Sequence, residues 1–249
     1  MPMPTVHFGF TPGDVVLVTG AGSGIGRATA LRAAELGLRV AAWDLAADAV
    51  ADTAARIAAA GGTAVAVRAD VSEPDDVEAG FAATRSRLGA IRYLVNNAGP
   101  ASSGEYEFDE AVRISLGSVR RMTDTWLAGH AADGAALVNV ASVAGNIVGT
   151  ASDWYCAAKA AIAGYTRHLA AYRSNEVRGN AVAPGMVDTP RLAGFAASDV
   201  GRRTLQRIPL GRMAQPDDIA YAILFLLSPL ASYVNGTVLP IDGGWTVTQ

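Results

Sequence analysis

The residues of this 249-residue chain best suited to chemistry are Tyr155 and Lys159, which are four positions apart. On a helix, this spacing places both side chains on one face. An ammonium group within about 4 to 6 Å of a phenol favours the phenolate and lowers the pKa of the tyrosine toward neutral pH. The spacing therefore predicts a general acid/base pair. The alternative is a lysine that extends along the surface into solvent.

Lys159 is the only lysine of the 20 basic residues, and the other 19 are arginines. A single lysine placed at random would follow one of the seven tyrosines by four positions in 7 of 249 placements, about 3 in 100. The ammonium group of lysine is compact, and its rotatable donors can contact several oxygens. We therefore expect that arginine cannot replace Lys159.

Ser142 lies thirteen residues before Tyr155, at the end of an apolar run. Its hydroxyl could bind the oxygen of a carbonyl or an alcohol, or it could cap a turn. Cys156 points about 100° away from Tyr155 around a helix, which indicates a small buried side chain rather than a nucleophile. The three histidines have no metal-ligand spacing with one another or with Cys156, so no metal site is predicted.

A glycine-rich turn near the amino terminus is the first element that could position a ligand. An apolar strand predicted over 15–18 leads into glycines at positions 20, 22, 24 and 26, and a helix predicted over 24–36 follows. Glycines allow a sharp turn, and the first N–H groups of the helix form a phosphate site. The spacing differs from the common G-x-G-x-x-G pattern. The alternative is a tight turn with only a structural role.

Strands and helices alternate along the chain after an amino-terminal tail over 1–14. Further strands are predicted over 39–43, 63–69, 93–96, 135–140, 178–182 and 237–239, and helices over 46–60, 74–88, within 105–128, from about 152, and over 216–227. This alternation predicts an α/β fold. We expect one doubly wound Rossmann domain over 1–249, with a mostly parallel seven-stranded sheet and helices on both faces.

Ligands of such a sheet bind beyond the carboxyl ends of its strands, so polar residues at these positions are candidates for the site. Asp44 follows the second strand, where a carboxylate accepts hydrogen bonds from the adenosine ribose of NAD and repels the 2′-phosphate of NADP. Its alternative role is the N-cap of the next helix. Asp70, Asn96 and Ser142 follow three other strands, and each alone could serve only a turn.

Composition excludes several classes of protein. A net charge of −3 gives no electrostatic reason to expect nucleic acid binding. The single cysteine excludes an internal disulfide, and the first residues lack the features of a signal peptide. The longest apolar run, 219–227, is less than half of the about 20 residues that cross a bilayer. We expect a cytoplasmic protein without a membrane span.

Seven short motifs occur in an order that resembles the short-chain dehydrogenase/reductase family. In chain order they are Thr19-Gly20-x3-Gly24-x-Gly26, Asp70-Val71, Asn96-Asn97-Ala98-Gly99, Ser142, Tyr155-x3-Lys159, Pro184-Gly185-x3-Thr189 and Asp242-Gly243-Gly244. Each motif is weak alone, but the ordered set spans nearly the whole chain. The resemblance also accounts for the spacing of the glycines.

The resemblance implies roles for individual residues. Tyr155 would be the general acid/base, Lys159 would hold the nicotinamide ribose and assist Tyr155, and Ser142 would orient the substrate oxygen. The implied NAD-binding residues are Gly20, Ser23, Gly24, Ile25, Asp44, Asp70, Val71, Asn96, Tyr155, Lys159, Val187 and Thr189. The implied partners are a small alcohol or ketone and further copies of the chain, in a homotetramer.

The chain departs from the family pattern in the helix after Asn97. Family members commonly have an asparagine there that links the lysine to water, but this chain has none between Asn97 and Asn139. Ser115 is the expected replacement and a fourth candidate catalytic residue. The segment 188–210 is expected to cover the substrate, and its arginines could attract an anion or form a solvated helix face.

The expected function is NAD(H)-dependent interconversion of a secondary alcohol and a ketone. Two alternatives are a 3-oxoacyl-carrier-protein reductase, whose relatives usually use NADPH, and a non-catalytic NAD-binding protein on the same fold.

Overall fold

The computed structural model describes residues 8–248, and seven strands in this range form one sheet. The strands are β1 (Val15–Thr19), β2 (Arg39–Asp44), β3 (Ala64–Arg68), β4 (Ile91–Asn96), β5 (Ala131–Val140), β6 (Arg178–Pro184) and β7 (Val238–Ile241). Their order is β3-β2-β1-β4-β5-β6-β7, and every neighbouring pair is parallel. This arrangement confirms the predicted doubly wound α/β fold.

Helices connect the strands and cover the sheet. They are α1 (Gly24–Glu35), α2 (Ala47–Ala59), α3 (Pro74–Leu88), α4 (Phe108–Gly129), α5 (Asp153–Tyr172), α6 (Asp199–Leu205) and α7 (Pro216–Leu227). Short 3₁₀ helices occur at Pro190–Leu192, Phe195–Ala197, Pro229–Ala231 and Trp245–Thr248. Within the described residues, no helix combines the length and the apolarity that a membrane span requires.

Two apolar layers hold the helices against the sheet, and β1 contributes to both because its side chains alternate between the faces. Val16 and Val18 pack with residues of α1 and α7 on one face. Leu17 packs on the other face, in a layer that contains the fully buried Trp43 and Trp126. Burial on both faces explains why the central strands are continuous apolar runs.

The carboxyl ends of β1 and β4 are joined through Thr19. Its hydroxyl donates to Val95 O (3.1 Å) and accepts from the backbone N–H groups of Asn97 and Ala98 (both 3.0 Å). The chain runs outward from β1 to β3 and then returns to β4 beside β1. A reversal of this kind opens a crevice beyond the strand ends, where doubly wound sheets bind ligands.

Three segments differ from the sequence-based expectation. Residues 8–14 of the expected tail lie against the fold: the ring of Phe10 meets that of Tyr93 edge-on at 5.2 Å, and Asp14 pairs with Arg92 at 2.9 Å. The rest of that tail, residues 1–7, lies outside the described part of the chain. Strand β5 starts at Ala131, four residues before the predicted start, and α6 was not predicted.

Candidate active site

A cavity of about 570 Å³ lies beyond the carboxyl ends of the strands and contains the three main catalytic candidates. Ser142 reaches it from the loop after β5, and Tyr155 and Lys159 reach it from α5. The glycine turn before α1 and the loop after β6 form other walls. The fold therefore brings together residues that are far apart in the sequence.

Helix α5 presents Tyr155 and Lys159 on one face, as their spacing predicts. The helix begins after the N-cap Ser152, whose hydroxyl accepts from the N–H of Tyr155 (3.4 Å). One turn further, Lys159 Nζ lies 5.5 Å from the centroid of the Tyr155 ring and donates to Val140 O (2.8 Å). Lys159 is therefore anchored to the end of β5 and does not extend into solvent.

Asn146 joins the loop that carries Ser142 to α5. Its side-chain amide donates to Ser142 O (2.7 Å) and, at 3.4 Å, to Lys159 O. The Ser142 hydroxyl itself is buried and accepts from Ala144 N (3.1 Å). The sequence did not predict this role of Asn146. Its side chain bonds to main-chain carbonyl oxygens, which every residue has, so no motif or spacing indicates the contact.

The pKa of Tyr155 differs from the expectation. Burial raises this pKa above its usual value near 10, and a hydrogen bond with Ser142 and the positive charge of Arg191 lower it only in part. The predicted lowering by Lys159 is therefore wrong for this structure. The physical reason is that burial dominates while Lys159 Nζ is directed at Val140 O.

The pKa of Lys159 is lowered to about 8, mainly because its ammonium group is buried and also because of the charge of Arg191. Most Lys159 side chains are therefore still protonated at pH 7, and they lose their charge within the mildly alkaline range. Arg191 influences both Tyr155 and Lys159, so its guanidinium group faces the same cavity.

The lowered pKa of Lys159 predicts a pH-dependent stability. Between about pH 8 and 10 the unfolded chain binds a proton that the folded chain has lost, so the free energy of unfolding increases with pH. From pH 8 to 9.5 the increase should be about 1–2 kcal/mol. Denaturant titrations of the wild type and of Lys159→Met check this, because the variant should lack the increase. Equal pH dependence of the two proteins would contradict the buried ammonium.

The glycine turn has the features of a cradle for a diphosphate. Gly20, Ser23, Gly24 and Ile25 all line the cavity. Ser23 is the N-cap of α1, its hydroxyl caps no helix N–H group, and the first turn carries no acidic side chain. The first N–H groups of α1 are therefore left for an anion. The residues present fit the diphosphate of a nicotinamide dinucleotide.

Two of the glycines are required by the local structure. Gly24 has φ of +51°, a conformation that other residues rarely adopt. A Cβ at Gly26 would collide with the carbonyl oxygen of Gly20. Helix α1 therefore starts in direct contact with the turn that precedes it, which accounts for glycines at these positions.

Asp44 ends β2 beside the glycine turn. One carboxylate oxygen accepts from Gly22 N (2.8 Å) and the other accepts from Ala46 N (2.9 Å). The N-cap of α2 is Ala46, so the alternative interpretation of Asp44 as the N-cap is wrong. Asp44 instead joins the end of β2 to the turn at which a dinucleotide would bind.

The other expected cofactor residues are at several places along the same edge. Val187 and Thr189, in the loop after β6, line the cavity. Asp70 follows β3, and one of its carboxylate oxygens accepts from the N–H and the hydroxyl of Ser72 (2.9 and 2.7 Å). Val71 is half-buried, and neither Asp70 nor Val71 lines this cavity. Their expected contacts with adenine stay predictions.

The structure corrects the expectation for the Asn96 side chain. This side chain is buried, and its amide donates to Asn139 Oδ1 (2.9 Å) and Thr123 Oγ1 (3.2 Å), away from the cavity. Asn97 lines the cavity instead and donates to Thr19 O (2.9 Å). Successive side chains of a strand point to opposite sides. This alternation could have indicated that only one of Asn96 and Asn97 has its side chain in the cavity.

Ser115 lies on α4 and is buried. Its carbonyl oxygen accepts from the hydroxyl of Ser118 (3.1 Å), and Ser115 is not one of the residues that line the cavity. The role of Ser115 in a proton relay therefore stays a prediction. In the described part of the chain, no three His, Cys, Asp or Glu side chains are grouped as a metal site.

Comparison with known proteins shows the family. A family model described as enoyl-(acyl carrier protein) reductase matches residues 20–246. The cis-4-hydroxycyclohexanecarboxylate dehydrogenase of Sinomonas cyclohexanicum is 42% identical over 241 residues, which are 93% of this chain and 96% of that protein. The cyclohexanol dehydrogenase of Acinetobacter sp. (strain SE19) is 36% identical over 245 residues, which are 93% and 94% of the two chains.

A solved structure agrees with these relatives. The 7α-hydroxysteroid dehydrogenase complexed with NADH and 7-oxo glycochenodeoxycholic acid matches with a TM-score of 0.89 and 30% identity, over 96% of both chains. The chain belongs to the short-chain dehydrogenase/reductase family. The predicted family resemblance is thereby confirmed.

Proposed function

We propose that this chain is an NAD(H)-dependent dehydrogenase/reductase that interconverts a small or medium-sized secondary alcohol and the corresponding ketone. The observation that carries the proposal is the convergence of Ser142, Tyr155 and Lys159 in one cavity with the glycine turn of α1. The activities for which two relatives are named, on cyclohexanol and on cis-4-hydroxycyclohexanecarboxylate, support a secondary alcohol as the substrate.

Each of the three side chains has a separate task in this proposal. In ketone reduction the Tyr155 hydroxyl donates a proton to the substrate oxygen, and the Ser142 hydroxyl holds that oxygen in place. Lys159 contributes positive charge beside the phenol and a donor for the nicotinamide ribose. The bound nicotinamide supplies or accepts the hydride. Because burial raises the pKa of Tyr155, reduction is favoured at neutral pH and alcohol oxidation at alkaline pH.

Other residues at the strand ends bind the cofactor. Gly20, Ser23, Gly24 and Ile25 hold the diphosphate, as their position at the start of α1 supports. Val187 and Thr189 contact the nicotinamide amide, and Asp70 and Val71 contact the adenine. On the adenosine side, the side chain of Asn97 takes the place expected for that of Asn96.

A substrate panel tests the proposed reaction. Cyclohexanol and cis-4-hydroxycyclohexanecarboxylate are incubated with NAD, and cyclohexanone with NADH, and the absorbance of the reduced cofactor is followed. We expect turnover of at least one alcohol and of its ketone in the reverse direction. A protein that binds NADH but turns over no alcohol or ketone of a broad panel would instead fit the non-catalytic alternative.

Asp44 is expected to select NAD over NADP. Its carboxylate ends β2 beside the glycine turn, where it would accept from the adenosine ribose of NAD and face the 2′-phosphate of NADP with like charge. One candidate cation, Arg68, is the register partner of Asp44 on β3, but its guanidinium pairs with Asp76 at 2.5 Å. A penalty of about 2.7 kcal/mol gives a preference of about a hundredfold. Measurement of kcat/KM with both cofactors checks this value.

The variant for this test is Asp44→Asn, which removes the charge but keeps an oxygen acceptor for Gly22 N. The preference for NAD should decrease at least tenfold. The matched control is Asp48→Asn, because Asp48 is an exposed carboxylate in the first turn of α2. Equal use of NADP by the wild type, or a preference that Asp44→Asn leaves unchanged, would show that Asp44 is not the selector.

The other two expected alternatives are not favoured. The similar proteins described above are named dehydrogenases of alcohols, and Ser142, Tyr155 and Lys159 all line the cavity. A homotetramer is part of the proposal, and the exposed aromatic side chains of Tyr221, Phe225 and Tyr233 support self-association.

A further inference from the structure

The cavity that contains Tyr155 has an uneven charge. Lys159 and Arg191 are the only charged residues that line it, and no Asp or Glu of the described chain is among its lining residues. The chain as a whole carries more acidic than basic residues, 23 against 20. The positive charge is therefore a local property of this cavity.

Arg191 lies at the rim of the cavity, in the 3₁₀ helix Pro190–Leu192. Its Nη2 donates to Gly99 O (2.6 Å), which is its only hydrogen-bond acceptor within residues 8–248. No carboxylate in that range pairs with it, whereas Arg202 in the same segment pairs with Asp199. Most of the five N–H donors of Arg191 are therefore available to a ligand.

The charge of Arg191 reaches the reacting groups. It lowers the pKa of Tyr155 and that of Lys159, so the guanidinium group is close to both in the shared cavity. The apolar side chains of Leu192, Ala193 and Phe195, which follow Arg191 in the chain, also line the cavity and are called its apolar wall. A ligand in this cavity can contact a cation, hydrocarbon and the Ser142 hydroxyl.

We infer that Arg191 is a specificity-determining residue that binds the carboxylate or sulfonate of an anionic secondary alcohol. The inference rests on the proposed function, because it places the alcohol group of this substrate at Ser142 and Tyr155. The planar guanidinium binds a carboxylate or a sulfonate through paired N–H donors. The apolar wall then accommodates the hydrocarbon that separates the anion from the alcohol.

The bound cofactor is another source of negative charge, because its diphosphate is also an anion. The glycine turn and the first N–H groups of α1 already provide donors for a diphosphate, whereas Arg191 belongs to the segment that follows the nicotinamide-side residue Thr189. The structure therefore favours the substrate as the ligand of Arg191, and the affinity for NADH separates the two sources.

Matched pairs of compounds test the inference. The first pair is 4-hydroxycyclohexanecarboxylate and its neutral carboxamide, compared by kcat/KM with cyclohexanol as the uncharged reference. The second pair is cyclohexanecarboxylate and cyclohexanecarboxamide, which have no alcohol group and are compared by calorimetric binding to the enzyme with NADH. The variants are Arg191→Met and Arg191→Gln, of which the second keeps an N–H donor for Gly99 O. The control is Arg203→Met, which removes an exposed charge from α6, outside the cavity lining.

The wild type should prefer each carboxylate over its carboxamide by about tenfold or more. Both Arg191 variants should lose this preference, so that the ratio of kcat/KM for the carboxylate to that for the carboxamide falls to about one, and Arg203→Met should retain it. Loss of the Arg191 charge near Tyr155 and Lys159 changes kcat/KM for all substrates by a common factor, which this ratio cancels. The affinity for NADH should change by less than tenfold. Equal losses for charged and neutral substrates, tenfold weaker NADH binding by Arg191→Met, or no preference in the wild type would each overturn the inference. Binding of cyclohexanecarboxylate that depends on Arg191, without turnover of any alcohol, would support the anion subsite and refute the proposed dehydrogenase activity.

Discussion

Tyr155→Phe is expected to reduce turnover of a secondary alcohol by about 10² to 10⁴-fold, the range that positioned proton transfer contributes. The substitution removes only the hydroxyl, so the ring still packs at 5.6 Å against Trp154 and the fold is retained. The loss should appear in kcat, because the hydroxyl acts on the reacting oxygen. The affinity for NADH should decrease by less than tenfold. Steady-state kinetics and NADH fluorescence titration measure both quantities.

Tyr106→Phe is the matched control for this variant. The Tyr106 ring also contacts Trp154, at 5.5 Å, but Tyr106 is exposed and lies outside the lining of the catalytic cavity. Its kinetics should equal those of the wild type. Turnover by Tyr155→Phe within tenfold of the wild-type value would show that another group transfers the proton.

Lys159→Arg is expected to reduce kcat/KM by about a hundredfold or more, which corresponds to a loss of about 2.7 kcal/mol of transition-state stabilisation. The compact ammonium group donates to Val140 O at 2.8 Å and lies 5.5 Å from the Tyr155 ring centroid. A guanidinium group is larger and planar, so it cannot occupy this position and keep both contacts. The variant keeps the positive charge, and the loss would therefore be due to shape.

Circular dichroism and an unfolding titration show whether Lys159→Arg still folds, and Lys159→Met provides the comparison without charge. We expect both variants to fold and both to be nearly inactive. Near-wild-type kcat/KM in Lys159→Arg would contradict the argument that this arginine-rich chain keeps its single lysine for catalysis.

The fold and the main site residues were predictable from the sequence because each depends on short-range patterns. Buried parallel strands are apolar runs, and the predicted boundaries of β1, α1 and α3 agree with the observed ones within one residue. The four-residue spacing of Tyr155 and Lys159 predicted their shared face of α5. The alternation of elements predicted the parallel sheet, and all of its neighbouring strands are parallel.

Other features depend on contacts between distant segments, and the sequence contains no local signal for them. Phe10 packs on Tyr93 of β4, a residue far from it in the sequence. The composition of residues 8–14 does not indicate this contact, so the segment was interpreted as a tail. The burial of the Asn96 side chain and the position of Asn97 in the cavity lining depend on the direction of each side chain at the end of β4. The raised pKa of Tyr155 follows from burial, which requires the assembled cavity.

Arg191 illustrates the same limit. In the sequence it is one of several arginines in 188–210, for which attraction of an anion and a solvated helix face were the two interpretations. The structure separates them, because Arg202 pairs with Asp199 whereas Arg191 turns toward Gly99 and the cavity. The hydrogen-bond and ion-pair partners of each arginine, which only the structure provides, therefore distinguish Arg191 from Arg202.

In the proposed reaction, a hydride passes between an alcohol carbon and NAD in this cavity while Tyr155 moves the proton. The most direct test uses cyclohexanol that carries deuterium on its carbinol carbon, or whichever alcohol of the panel is turned over, with NAD and the wild-type protein. Mass spectrometry of the products then locates the label. We expect one deuterium in the reduced cofactor for each ketone formed, and almost no labelled cofactor in total with Tyr155→Phe. Ketone formation with the deuterium released to water, or undiminished transfer by Tyr155→Phe, would contradict it.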